Sequence, residues 1–142
     1  MSLAPLVLSV ALRFRDRPAA TDSGGTLTYG ELAERVSRLA GAMVARGAQP
    51  GDRVVLFMAN STAFLEVLLA IWTAGLVAVP VNPKLHEREV SFVVQNSSAR
   101  LLFVTEGMVA DLDGFCAQHE GLVGICAGTD RRRAVRSPSI WA

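Results

Sequence analysis

RVVLFMANSTAFLEVLLAIWTAGLVAVPV, from Arg53 to Val81, decides the architecture. Arg53 to Met58 is too continuously apolar for a strand with one wet face, so it belongs inside a parallel sheet covered on both sides. Asn60 or Ser61 offers a side-chain acceptor to the first turn of a helix, Thr62 to Ala74, that is apolar almost all round and therefore buried. Gly75 stops that helix, because a residue without Cβ enters the left-handed conformation at little cost. Leu76 to Val81 is the next strand, and Pro80, which has no N–H to donate, puts its end at a sheet edge or leaving the sheet.

Upstream, Pro18 to Leu27 reads as a hairpin whose turn is Asp22-Ser23-Gly24-Gly25. Thr28 and Glu31 have the spacing of a capping box. The helix they open carries Leu32, Val36, Leu39, Ala40, Met43 and Val44 on one face and ends at Gly47, and Pro50-Gly51 then turns tightly into the strand. Leu3, Leu6, Val7, Val10 and Phe14 share a helical face, so an amphipathic helix lying on the domain is expected at the N-terminus.

Downstream, Asn82-Pro83 turns into a third helix, Glu87 to Asn96, and Leu101 to Thr105 is a strand. A weaker helix, Met108 to His119, and a weaker strand, Leu122 to Cys126, complete the alternation. Its spacing predicts right-handed crossovers and an α/β fold, a mainly parallel sheet of βαβ units with flanking helices. The expected domain covers 1–126. A basic, flexible tail is expected over 127–142, where Arg131, Arg132, Arg133 and Arg136 lack apolar periodicity around them.

Composition bounds the function. A chain of 142 residues with 51% hydrophobic and 19% charged residues suits a packed domain and argues against disorder. A net charge of +1 exerts no general pull toward nucleic acid, and the tail arginines lack interleaved aromatics, so no nucleic-acid partner is expected. The apolar run Leu3 to Leu12 has no preceding cation, unlike a signal peptide. Val67 to Val81 is short of the roughly twenty residues a membrane span needs. A cytoplasmic location without a membrane span is therefore expected. Cys116 and Cys126 lack metal-finger spacing and read as small buried residues in a reducing compartment; His86 and His119 have no ligand or nucleophile constellation around them.

Five phrases recur in an order that is more specific than any one of them. They are Leu-Thr-Tyr-Gly-Glu-Leu (Leu27–Leu32), Arg-Gly-Ala-Gln-Pro-Gly-Asp-Arg-Val (Arg46–Val54), Met-Ala-Asn-Ser (Met58–Ser61), Ala-Gly-Leu-Val-Ala-Val-Pro-Val-Asn-Pro-Lys-Leu (Ala74–Leu85) and Asn-Ser-Ser-Ala-Arg-Leu-Leu-Phe-Val (Asn96–Val104). From Leu27 to about Glu106 the chain resembles the first part of the adenylate-forming, AMP-binding acyl-CoA synthetases. The run Asn82 to Glu89 favours acyl-CoA ligases over peptide-synthetase modules within that resemblance.

The resemblance implies a ligase that activates a carboxylate with ATP and Mg²⁺ to an acyl-adenylate and then transfers it to a thiol such as coenzyme A. Such chemistry needs a loop of N–H groups around polyphosphate, a carboxylate for Mg²⁺ and a cation at the α-phosphate. Asp22 to Thr26 precedes a strand and reads as a hairpin turn, Gly121 to Thr129 has no lysine at phosphate-loop spacing, and the sole lysine, Lys84, stands outside the resembled family's lysine context. The resemblance therefore carries over no catalytic, cofactor-binding or metal-ligating residue. A fragment truncated before the phosphate loop, by frameshift or otherwise, inactive alone and binding no ATP, Mg²⁺ or coenzyme A by itself, is the leading expectation. The alternatives are a non-catalytic α/β nucleotide-binding or interaction module, and one half of a split ligase completed by a second chain. Self-association is expected through an apolar face holding Leu65, Leu68, Leu69 and Ile71.

Overall fold

A computed structural model describes residues 3–128; the expected basic tail lies outside the described residues from residue 129 onward. The element order is α1 (Leu3–Arg13), β1 (Pro18–Asp22), β2 (Gly25–Thr28), α2 (Tyr29–Ala45), β3 (Arg53–Phe57), α3 (Thr62–Thr73), β4 (Val77–Pro80), α4 (Glu87–Ser97), β5 (Leu101–Thr105), α5 (Leu112–Ala117) and β6 (Val123–Ala127). The architecture is α/β, with strands of a mainly parallel sheet alternating with helices, as the periodicity predicts. The chain divides into two compact units, one formed by 1–51 with 60–77 and the other by 52–59 with 78–142.

The first unit holds the hairpin and three helices. Thr28 Oγ1 accepts from Glu31 N at 3.2 Å while Glu31 Oε2 accepts from Thr28 N at 2.9 Å, so the expected capping box forms and satisfies two otherwise orphan donors. Gly47, at φ +93°, ends α2, and Ala48 N reaches back to Met43 O at 3.1 Å. Gly75 does the same for α3 at φ +75°, with Leu76 N donating to Ile71 O at 2.9 Å. Ser61, the second of the two candidate caps, accepts from Phe64 N at the start of α3. Leu32, Val36, Leu39, Ala40 and Met43 are buried together on α2 as expected.

Three expectations of burial are corrected in this unit. Val44 is exposed, because it lies past the edge of the buried α2 stripe. Leu69 and Ile71 are 5% and 0% exposed, so the expected exposed face shrinks to the half-buried Leu65 and Leu68. On α1 the buried residues are Ala4 and Ala11, while Leu3 and Leu6 turn outward. Small side chains let α1 approach α2 and α3 closely, and that contact outweighs the larger residues' pull toward the core.

The second unit is a four-stranded sheet in the order β4-β3-β5-β6. β3 pairs with β5 in parallel from Val54↔Leu101 to Phe57↔Val104, and β5 with β6 from Leu101↔Val123 to Thr105↔Ala127. β4 is an edge strand, as Pro80 required. Val55, Phe57, Leu102 and Val104 pack with Val90 and Val94 of α4 and Phe115 of α5 on one face. Val54, Leu56 and Phe103, on the other alternation, are also buried, the pattern of interior parallel strands. The expected Met108–His119 helix contracts to Leu112–Ala117, because Asp111 caps it through Gly114 N and Met108 N is already turned back on Thr105 O. Both cysteines are free and only half-buried.

Candidate functional site: the carboxyl end of the parallel sheet

In open α/β sheets ligands settle at the carboxyl ends of the strands where the strand order reverses. With the order β4-β3-β5-β6, that reversal falls between β3 and β5. There Ala59 N donates to Thr105 Oγ1 at 2.9 Å, so a side chain from β5 closes the gap beyond β3. Alongside it Val81 N donates to Leu56 O at 3.1 Å and Glu106 N to Ala127 O at 3.2 Å. These bonds tie the carboxyl ends of the four strands together. Glu106 is exposed at this edge and adds negative charge where polyphosphate would need positive.

Each glycine-containing candidate for a phosphate loop is accounted for. Asp22 Oδ1 accepts from Gly24 N at 2.9 Å, and Asp22 Oδ2 accepts from Thr62 N at 3.0 Å and Thr62 Oγ1 at 2.7 Å. The hairpin turn thus fills its own N–H and the α3 N-terminus with a carboxylate, the place an anion would otherwise take. In the other candidate, Gly121 takes a turn at φ +75° and Gly124 sits within β6 against Cys116 and Leu112. Over its described residues neither forms a strand-to-helix cradle. Among the described residues no group of three or more His, Cys, Asp or Glu could hold a metal ion. Neither glycine candidate, over its described residues, therefore supplies a phosphate cradle.

The cysteines are equally unsuited to nucleophilic work. Burial, with the Asp113 charge adding to it, pushes the Cys116 thiol up to about 11. Burial and Glu106 raise Cys126 as well. Both are held as thiols at neutral pH, and the thiolate is the reactive form.

Two polar arrangements escaped the sequence reading. Ser91 Oγ lies 2.9 Å from His119 Nε2, and the His119 ring tilts against Phe115 with centroids 5.3 Å apart. Ser91 lines a groove of about 520 Å³ with Glu87, Arg88, Asp111, Phe115 and Gln118. No carboxylate hydrogen-bonds the imidazole among the described residues, so nothing fixes it as a general base, and the pair links α4 to α5. The second arrangement is Arg35 Nη1 with Glu66 Oε2 at 3.6 Å, where the Glu66 side chain is only 7% exposed. Burial raises the Glu66 pKa and Arg35 partly offsets the rise. Partners 28 and 31 positions apart leave no local signature; only the polarity of Glu66 within an apolar helix hinted at the second pair.

Residues 8–138 match the family of AMP-binding enzymes, and the chain belongs to that family. It is 43% identical to a feruloyl-CoA synthase of Amycolatopsis over 94 residues, 66% of this chain and 19% of that protein. Surfactin synthase subunit 1 of Bacillus subtilis is 36% identical over 98 residues, 69% of this chain and 3% of that one. The structure superimposes on a benzoate CoA ligase of Burkholderia xenovorans with a TM-score of 0.82 and 26% identity, covering 89% of this chain and 26% of the ligase. The chain thus spans at most about a quarter of these relatives. No helix among the described residues is long and apolar enough to cross a membrane.

Proposed function

We propose that the chain supplies scaffold to an AMP-dependent acid–thiol ligase of the acyl-CoA synthetase kind and contributes no catalytic group itself. The observation that carries this reading is the AMP-binding match over 8–138, joined to the Ala59 N–Thr105 Oγ1 bond across the gap between β3 and β5. In such a ligase, ATP and a carboxylate give an acyl-adenylate and pyrophosphate, and a thiol then takes the acyl group. The chain's part is mechanical: an interior parallel sheet that holds its carboxyl edge rigid for groups from elsewhere. A cytoplasmic location and a role in fatty-acid metabolism belong to the same proposal. The relatives' names span fatty, feruloyl and hydroxybenzoate acids, so the acyl substrate stays at the level of a carboxylic acid.

The test is pyrophosphate release from purified chain with ATP, Mg²⁺ and a panel of fatty and aromatic acids. No carboxylate-dependent release is expected, and turnover above the acid-free blank would overturn the non-catalytic assignment. A split ligase, completed by a second chain that carries the remainder of the fold, is the alternative reading. Mixing with a chain that carries the remainder of the fold restores release in that reading; continued silence removes it.

A further inference from the structure

We draw no further inference here: the strongest candidate, the groove between α4 and α5 lined by Arg88, Ser91, Phe115 and Gln118, carries nothing, because its carboxylates Glu87 and Asp111 already accept from Ala110 N and Gly114 N and nothing in the structure points to a ligand there.

Discussion

At the residue scale the buried ion pair of the first unit gives the sharpest expectation. Glu66 is 6% exposed, and burial raises its pKa despite Arg35, so desolvation outweighs attraction. The folded chain then holds the Glu66 proton at a pH where the unfolded chain has released it. As pH rises from the ordinary 4.5 through the raised value, this group lowers stability; below 4.5 both states are protonated and it contributes nothing. Glu66→Gln keeps the shape and an acceptor for Arg35 without the buried charge. Urea unfolding at pH 7 is expected to show it more stable, the gap closing toward pH 4.5; a less stable Gln variant at pH 7 would mean the ion pair wins. Cys116 makes a second expectation. With its pKa raised from 9.0 to about 11, the native thiol should react slowly with iodoacetamide at pH 8, whereas the unfolded chain reacts at an ordinary rate. Because the fold disfavours the thiolate, this group also lowers stability as pH climbs from 9 toward 11. Fast alkylation of native Cys116 at pH 8 would contradict both statements. Neither environment was visible in sequence, since a cysteine's neighbours in space are set by the helix and strand that meet around it.

At the element scale, what could be read from sequence was what the chain decides locally. The Thr28–Glu31 box, the Gly47 and Gly75 stops and the limits of β5 depend on residues within a turn of one another, and all formed. The α1 orientation was misread because periodicity weighs side chains by size, whereas close helix packing selected Ala4 and Ala11. Asp22 shows the same limit: its place in a turn was legible, but its bonds to Thr62, 40 positions away, were not. Those bonds fasten the β1–β2 hairpin to the start of α3, so Asp22→Ala removes three accepted hydrogen bonds and should cost about 2 kcal/mol in chemical denaturation. Asp22→Asn keeps one acceptor oxygen and should cost less; equal losses would show that charge rather than acceptor number matters. In the second unit, a Cβ on Gly124 would stand 2.7 Å from Cys116 Sγ and 2.8 Å from two Leu112 carbons. Gly124→Ala must therefore push α5 away from β6, at an expected cost of about 1–3 kcal/mol. An unchanged midpoint would mean that α5, only six residues long, yields without cost.

At the scale of the whole molecule, family and chemistry part company. The ordered phrases from Leu27 to Val104 carried the family because they record turns, caps and strand ends, which any member must build to fold. None of those phrases is itself a chemical group, so the match to the family assigns no catalytic residue to this chain. Ligand linkage turns this into a measurement. A ligand at a hundred times its Kd adds about 2.7 kcal/mol to stability. For a chain of this length that would raise Tm by roughly 8–15 °C. Mg²⁺–ATP at 10 mM, a hundredfold excess over a 100 μM site, is expected to move Tm by less than about 1 °C relative to a sulfate control of matched ionic strength, because the Ala59 N–H at the switch point is already bonded to Thr105 Oγ1. A shift above about 5 °C would require a nucleotide site that these residues do not build, and would favour a nucleotide-binding module over an inert scaffold. If the same shift appeared with tripolyphosphate alone, the site would read phosphate charge and not adenine.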